Sequence, residues 1–302
     1  MYTPPDVFRS AIRLTREHPA FVALVSLILG VGIGATSAAL NVARSVVFTP
    51  LPVADESRLV LIAKTTTNTA VLMPFSYAEI AAWRDSTHTL ETVAGVQYDG
   101  AWPWPAQFHD RAFSVTGAMV TGDFFAALGA RPVLGRLLTP DDAKVGSDEV
   151  AVLGYTLWRG QFGGDPRILG QRIRLNGHAA TIIGVARDDF AFPRGTQVWQ
   201  PLIATPDVLQ EGWFTLVARL KPNVTVQQTA EESSMLLERL RSVGPRRFSQ
   251  EVRPRVMSLR DAIVGDIRPV TALFVGAAAV LYLVGCINVL ILLLIRGAEP
   301  IA

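Results

Sequence analysis

The sequence predicts an α+β domain flanked by two transmembrane helices. Residues 19–43 carry no charge over 25 positions, and residues 269–295 carry none over 27. A helix rises ~1.5 Å per residue, so either stretch is long enough to cross the ~30 Å hydrocarbon core of a bilayer. A spanning segment must satisfy its own backbone hydrogen bonds, which a helix does internally. The 223 residues between the spans, 45–267, combine helix and strand patterns and should therefore fold on one side of the membrane.

The basic residues of the two short tails predict the topology. Arg9, Arg13 and Arg16 precede the first span, and Arg296 follows the second. Short basic tails stay in the cytoplasm, whereas a long loop translocates largely regardless of its charge. Both termini should therefore be cytoplasmic and the central domain extracytoplasmic. The competing interpretation is a signal peptide cleaved near residues 37–39, but secretory apolar cores usually run ~7–15 residues and this one is longer.

Two features of the N-terminal region suggest contacts with lipid and with another helix. Residues 6–18 predict a short amphipathic helix in the headgroup plane, with a plain solvated tail as the alternative. Within the first span, Gly30, Gly34 and Ala38 recur every fourth residue. Small residues on one face let another helix approach closely, so we expect this face to pack against the second span or against a partner subunit.

Strand–helix–strand patterns stand at both ends of the central domain. Residues 58–64 predict a buried strand, and Ser76 with Glu79 forms a capping box that opens a helix to about residue 85. Near the far end, residues 214–220 predict a strand, and Thr225 with Gln228 forms a second capping box. The helix that this box opens runs to about residue 241, and a further strand is predicted over 252–259. We therefore expect two related α/β halves.

The middle of the domain has a different pattern. Short β-branched runs alternate with turn signals, and Asn176-Gly177 predicts a tight hairpin turn. The predicted strands lie at 115–120, 150–153, 172–175, 181–185 and 198–202. This pattern predicts a mostly β subdomain inserted between the two α/β halves.

Nothing in the sequence predicts catalytic, cofactor-binding or metal-binding residues. The four histidines lack metal-ligand spacing, and neither a G-x-S-x-G motif near His109-Asp110 nor a Walker A loop occurs. The single cysteine, Cys286, lies in the second span, so the domain holds no disulfide. Adjacent carboxylates are expected to be solvated, and His178 to lie in an exposed loop. These carboxylate pairs are Asp141-Asp142, Asp188-Asp189 and Glu231-Glu232.

Charge and aromatic residues limit the partners. The 28 basic and 26 acidic residues give a net charge of +2 without a basic stripe, so nucleic acid is not expected as a partner. Residues 102–105 (WPWP) place two indoles on a stiff extended segment. We expect these aromatics to seal an edge of the β subdomain, with an exposed binding ledge or a headgroup contact as the alternative.

A set of short sequence words in a fixed order resembles the MacB/FtsX-type ABC transporter permeases, in particular the long duplicated permeases with MacB-like periplasmic core domains. Each word is weak alone, and the ordered set covers nearly the whole chain. The words are residues 29–35 (LGVGIGA), 120–125 (VTGDFF), 128–136 (LGARPVLGR), 157–159 (LWR), 162–166 (FGGDP), 175–177 (LNG), 183–185 (IGV), 218–222 (ARLKP) and 265–269 (GDIRP).

The resemblance implies a bacterial inner-membrane protein whose periplasmic domain has a porter-like α/β part and an inserted β-rich part. It implies a cytoplasmic ABC ATPase and a second permease copy as partners, in a homodimer or with a sister permease, and no catalytic residues or cofactor. The implied domains are a cytoplasmic amphipathic helix (1–18), a transmembrane helix (19–44), a periplasmic core domain (45–267, with the insertion at about 100–205), a second transmembrane helix (268–296) and a cytoplasmic tail (297–302).

The favoured function is a non-catalytic permease subunit or fragment that takes part in export or mechanotransmission. Family permeases continue past the second helix, so the sequence, which stops at residue 302, is interpreted as a truncated permease, a companion subunit or a gene remnant. The alternative function is a membrane-anchored periplasmic binding or sensor domain without an ATPase. An anchored hydrolase would require a cleft with converging titratable groups.

Overall fold

The structure, a computed structural model, divides the chain into two compact units, Met1–Thr49 with Val264–Ala302 and Pro50–Ile263. It describes residues 19–47, 53, 55–66, 69–98, 103–188, 190, 192–203, 205, 214–243, 252–264 and 268–297. The predicted amphipathic helix over 6–18 lies outside the described residues.

The first unit is a pair of long helices packed against each other, α1 (Pro19–Val47) and α7 (Arg268–Gly297). Within α7, the segment Ala272–Ile291 is long and apolar enough to cross a membrane, as judged by length and composition. Within the described part of α1 the corresponding apolar segment is shorter, Val25–Ala38. Both helices predicted from the uncharged stretches are therefore present.

The second unit is built on one sheet, whose described strands number 13. Their order is β13-β1-β12-β3-β6-β11-β8-β10-β9-β4-β5, with β2 added to β1 and β7 added to β10. The strands are β1 (Leu59–Thr66), β2 (Thr69–Met73), β3 (Leu90–Tyr98), β4 (Trp104–Phe108), β5 (Arg111–Val115), β6 (Gly117–Val120), β7 (Pro132–Gly135), β8 (Val150–Leu153), β9 (Arg172–Leu175), β10 (His178–Ala186), β11 (Val198–Pro201), β12 (Thr215–Leu220) and β13 (Val252–Ser258). The helices are α2 (Tyr77–Ser86), α3 (Phe124–Leu128), α4 (Tyr155–Phe162), α5 (Val226–Val243) and α6 (Leu259–Val264).

The two predicted α/β halves interleave in the sheet. The chain runs β1–α2–β3 and β12–α5–β13, and the order β13-β1-β12-β3 places each strand beside strands of the other half. All of these neighbours are antiparallel, which is the split β-α-β arrangement of a ferredoxin-like fold. Each half leaves a gap that only the other half's strand can fill, so neither half would form a complete sheet alone.

Strand periodicity decides which side chains meet the helices. Successive residues of β1 point to opposite faces, so Val60 and Ile62 join a core with Trp83 of α2 and Leu237 of α5. Leu59, on the other face, joins a second core that is rich in aromatic side chains. The sheet is therefore covered on both faces near β1 and β12.

The strands β4–β11 lie between β3 and β12 in the chain and form the β-rich part that the sequence predicts. This part is joined to the α/β halves without a break, because β6 pairs with β3 over Val120↔Val96. A third core lies between its strands and α4. Helices α3 and α4 have only 5 and 8 residues, too few to show a helical period, so the sequence does not predict them.

The predicted strand over residues 115–120 is in fact two strands, which meet at Thr116. Before Thr116, β5 pairs with β4, and after it β6 pairs with β3 and β11. The change of partners breaks the strand, although the β-branched pattern continues through it. The sequence analysis gave no bounds for β3, and it missed β2, β4 and β7 and residues 111–114 of β5 as strands.

Candidate functional site

The carboxylates that the sequence predicts to be solvated differ in their exposure in the structure. Asp142 is buried and accepts two hydrogen bonds of 2.7 Å from Arg136, whereas Asp141 is exposed. Burial alone would raise the pKa of the Asp142 carboxyl, but the hydrogen bonds from Arg136 and Thr139 outweigh it and lower that pKa. Asp188 is exposed, and Asp189 lies outside the described residues. The prediction was therefore wrong for Asp142.

Glu232 joins α5 to the turn that follows α2. Its carboxylate accepts from the backbone N–H of His88 at 2.6 Å, from the N–H of Thr89 at 3.1 Å, and from the hydroxyls of Thr87 and Thr89. Burial alone would raise the pKa of Glu232, but these hydrogen bonds lower it. Its neighbour Glu231 is exposed. Glu232 is thus a structural acceptor, contrary to the solvated state expected of it.

The remaining sequence candidates lie on or beside strands β4 and β10. His109 is exposed in the β4–β5 turn at φ 51°, and His178 is exposed at the start of β10, next to the turn predicted at Asn176-Gly177. Trp104 packs over Gly117, where an added Cβ would lie 2.1 Å from the indole, so it seals the β subdomain as expected. Trp102 lies outside the described residues. Among the described side chains no group of three or more His, Cys, Asp and Glu is placed to hold a metal ion.

A buried ion pair links the sheet to α2. Lys64 lies on the helix-facing side of β1, and its Nζ is 2.8 Å and 3.0 Å from the two carboxylate oxygens of Glu79. The side chains are 7% and 8% exposed. The same carboxylate accepts from the backbone N–H of Ser76 at 2.7 Å, which completes the predicted capping box. The sequence predicted the cap but not the lysine.

On the opposite face of the sheet, a buried arginine links β12 to α3. Arg219 Nε donates a 2.9 Å hydrogen bond to the carbonyl of Ala127, one residue before the last residue of α3. Carbonyls at a helix C-terminus lack intrahelical partners, so a buried cation is well placed there. Burial and the nearby Arg58 lower the pKa of Arg219 from its ordinary value. Together with the Lys64–Glu79 pair, this contact fastens helices to opposite faces of the sheet.

In the helical unit, the face of α1 that meets α7 is not the one predicted. A Cβ on Gly32 would lie 3.3 Å from Cδ2 of Tyr282, and Thr36 Oγ1 lies 2.8 Å from the Gly32 carbonyl and 3.4 Å from that of Ala278. Gly32 and Thr36 form a second small-residue spacing, offset by two positions from the predicted one. The predicted residues Gly30, Gly34 and Ala38 are exposed, and a Cβ on either glycine would meet nothing within 4 Å. Packing of this face against a partner therefore stays a prediction.

Taken together, the polar contacts of Lys64, Arg219 and Glu232 fasten structural elements of the domain to each other. Residues 22–234 match the family model of the MacB-like periplasmic core domain, from inside α1 to inside α5. The chain belongs to the MacB-like periplasmic core domain family. Membership confirms the resemblance drawn from the ordered sequence words, and it makes the chain a permease-type component.

Two solved structures share the fold of this MacB-like domain. The periplasmic region of MacB from Actinobacillus actinomycetemcomitans aligns with 70% of this chain and 94% of its own, at a TM-score of 0.53 and 17% identity. A domain assigned to a permease protein from Porphyromonas gingivalis aligns with 69% of this chain and 92% of its own, at a TM-score of 0.52 and 16% identity. At 16–17% sequence identity the structural similarity shows the fold alone, and it confirms the predicted α+β class. No curated protein matches the sequence.

A MacB-like periplasmic core domain is the extracytoplasmic part of a membrane permease, and it is not an enzyme in the catalytic sense. In the described part of the sheet unit, the buried charged groups Lys64, Glu79 and Arg219 bind one another or a backbone carbonyl, so they stabilise the domain.

Proposed function

We propose that the protein is a non-catalytic permease subunit or fragment of a MacB/FtsX-like ABC transporter, whose periplasmic domain takes part in export or mechanotransmission driven by a separate cytoplasmic ATPase. The observation that carries the proposal is the extent of the family match, which begins within α1 at residue 22 and continues through the sheet. The apolar helix and the periplasmic domain thus belong to one family unit. The apolar segment of α7 supplies a second anchor.

The proposed topology has α1 and α7 crossing the bacterial inner membrane with both termini in the cytoplasm. The basic residues Arg9, Arg13, Arg16 and Arg296 support it, since short basic tails are retained on the cytoplasmic side. The periplasmic body would then comprise residues 45–267, with the β-rich insertion at about 100–205 corresponding to β4–β11.

A second permease copy, either identical or a sister subunit, is the proposed neighbour within the bilayer. The face with Gly30, Gly34 and Ala38 supports this, because α7 leaves it open and small residues allow close approach of another helix. The proposed mechanical role is supported by the polar contacts of Lys64, Arg219 and Glu232, because a body whose helices are fastened to its sheet moves as one piece.

Co-purification tests the proposal. The tagged full chain is extracted from membranes of its native host in mild detergent, and the associated proteins are identified by mass spectrometry. We expect a nucleotide-binding subunit and a second permease copy to accompany it. As a control, Lys144 is exposed and lies far from both helices in the sequence, so the variant Lys144→Ala should retain the same partners.

Recovery of the chain without either subunit would overturn the permease proposal. It would favour the alternative of a membrane-anchored periplasmic binding or sensor domain that is not coupled to an ATPase. Recovery of an ATPase with the wild-type chain but not with Gly34→Leu would show in addition that the open face of α1 takes part in assembly.

A further inference from the structure

One edge of the sheet has no further strand beside it in the part of the chain that the structure describes. Strand β5 (Arg111–Val115) is the last strand of the order, and among the described strands it pairs with β4 alone. Its residues Ala112 and Ser114 are exposed. An unpaired strand edge presents a row of N–H and C=O groups that can bind another strand.

The polar groups that face this open edge can be identified from the neighbouring pairing. Ser114 lies opposite Pro105 of β4, and the Pro105 carbonyl accepts from Asn176 N–H at 3.0 Å, on the β9 side. Residues that face each other in an antiparallel pair direct their polar groups either toward each other or both away. The N–H and C=O of Ser114 therefore point outward, and so do those of Ala112, two residues earlier.

The two ends of the sheet differ in how they are protected. At the other end, β13 carries Pro254 between Arg253 and Arg255, both of which are exposed. Proline and charged side chains are the usual means by which proteins prevent further pairing at a sheet edge. Between its end residues β5 carries only Ala, Phe and Ser, without proline or charge. Its open edge is thus compatible with pairing.

We propose that β5 pairs with β5 of a second copy of this chain, antiparallel and centred on Phe113. In this register Ala112 faces Ser114 of the partner subunit, and their outward groups form four backbone hydrogen bonds about the two-fold axis. It is the register that uses all five residues of the strand. Registers centred on Ala112 or Ser114 leave part of the strand unpaired.

The side chains suit this pairing. Phe113 is partly buried against Phe162 of α4, with ring centroids 6.1 Å apart, and its remaining exposed surface lies at the centre of the paired strands. Aromatic side chains directly opposite each other stabilise antiparallel pairs. Arg111 would face Val115 of the partner subunit, so like charges are not brought together. On the other face of the sheet only the small Ala112 and Ser114 side chains meet.

The strand pairing presupposes the second permease copy of the proposed function. Five residues a side bury much less than the ~1,200 Å² of a stable interface, so β5 would not hold two free molecules together. Two copies already joined in one membrane complex have a high effective concentration of β5, which makes a short pairing sufficient. The paired strands would then form one continuous sheet across the two periplasmic bodies.

Disulfide trapping tests the register. Full-length chains with Cys286→Ala and different tags carry Ala112→Cys in one copy and Ser114→Cys in the other, and are oxidised in membranes after co-expression. Facing residues of a hydrogen-bonded pair have Cα atoms about 5.5 Å apart, within disulfide range. Two copies of the same variant would place their cysteines diagonally, at about 7–8 Å, beyond that range.

We expect the mixed pair to cross-link about tenfold faster than either variant with itself. Both substituted side chains are exposed, so folding should not be affected.

The variant Ser114→Pro tests the hydrogen bonds. It removes the outward N–H of Ser114 in each copy, and so two of the four bonds, without changing the pairing of β5 with β4. We expect it to raise the dimer dissociation constant in detergent about tenfold, whereas Ser114→Thr should leave that constant unchanged.

The outcomes separate the two proposals. Copies that co-purify but show no preference for the mixed cross-link would overturn the β5 pairing and leave the permease proposal intact. Copies that never co-purify would overturn the β5 pairing together with the second permease copy on which it depends.

Discussion

Lys64 and Glu79 form an ion pair with an Nζ–Oε1 distance of 2.8 Å between the sheet and the first turn of α2, and both side chains are more than nine-tenths buried. The ammonium also lies 4.8 Å from the centre of the Phe75 ring. Removing one member of a buried pair leaves the other charge without compensation, which is much more costly than losing the pair itself.

We therefore expect Glu79→Gln to destabilise the sheet unit by roughly 3–5 kcal/mol. The change also weakens the cap, because the same carboxylate accepts from Ser76 N–H. Thermal unfolding of the full chain in detergent, followed by tryptophan fluorescence, measures the effect, since Trp83 lies in the adjacent core. As a control, Asp141→Asn removes the exposed pair with Lys144 and should leave the melting temperature unchanged. An equal loss in both variants would show that burial is not the cause.

Glu232 predicts a dependence of stability on pH. Its pKa in the folded state is lowered below the ordinary 4.5, so its hydrogen bonds stabilise the fold fully above that value. The contribution is lost as the pH falls through the folded-state pKa. The melting temperature of the wild type should therefore exceed that of Glu232→Gln at neutral pH, and the difference should shrink below pH 4.5. Glu231→Gln, at the exposed neighbouring position, is the matched control and should leave the melting temperature at neutral pH unchanged.

Two glycines of α1 should respond differently to the same substitution. Gly32→Leu places a side chain against Tyr282 and should separate α1 from α7, whereas Gly34→Leu points into open space. The readout is a disulfide between Thr36→Cys and Ala278→Cys in a Cys286→Ala background, since Thr36 Oγ1 lies 3.4 Å from the Ala278 carbonyl. We expect Gly32→Leu to abolish the disulfide. Gly34→Leu should preserve the disulfide but lower the yield of the co-purified second copy. An unchanged yield would show that the open face of α1 does not take part in assembly.

Gly184 should tolerate no larger residue. A Cβ at this position of β10 would lie 1.9 Å from the backbone carbonyl oxygen of Arg136, so β7 would have to move. We expect Gly184→Ala to cost about 1–3 kcal/mol of stability. Gly160, in α4, has nothing within 4 Å, and Gly160→Ala should stabilise by about 0.5–1 kcal/mol because alanine favours a helix. Equal melting temperatures for the two variants would contradict the close approach of β7 to β10.

The topology predicts opposite results for two reporter fusions. Val145 is 73% exposed in the segment before β8, so an insertion there should not disturb the sheet. A reporter that is active only in the periplasm should work when inserted at Val145 and be silent when fused after Ala302. Because the orientation depends on the basic residues of both tails, activity after Ala302 would overturn it.

Local signals in the sequence predicted much of this architecture. Both capping boxes, at Ser76–Glu79 and Thr225–Gln228, are present with their reciprocal hydrogen bonds. The Asn176-Gly177 turn and the strands β8 and β9 are also found where the pattern indicates them. Signals of this kind succeed because a cap or a tight turn involves residues a few positions apart, and their geometry is complete within that segment.

The interactions that link distant segments were not predictable in the same way. Ala112 and Ser114 show no pattern that marks the last strand of a sheet, and Lys64 resembles any lysine at the end of a strand. The sequence analysis did not identify the Gly32–Thr36 face, because Gly30, Gly34 and Ala38 form the longer run of small residues at every fourth position.

Apolar length and strand–helix order, both readable along the chain, predicted two long helices and an α+β domain, and the ordered sequence words indicated the MacB-like family. Which charges are buried, which face of α1 meets α7 and which strand ends the sheet depend on contacts between residues far apart in sequence, such as Lys64 with Glu79 and Arg219 with Ala127. A one-residue shift of register turns every side chain of a strand to the other face, so these features are decided by packing and not by local preference.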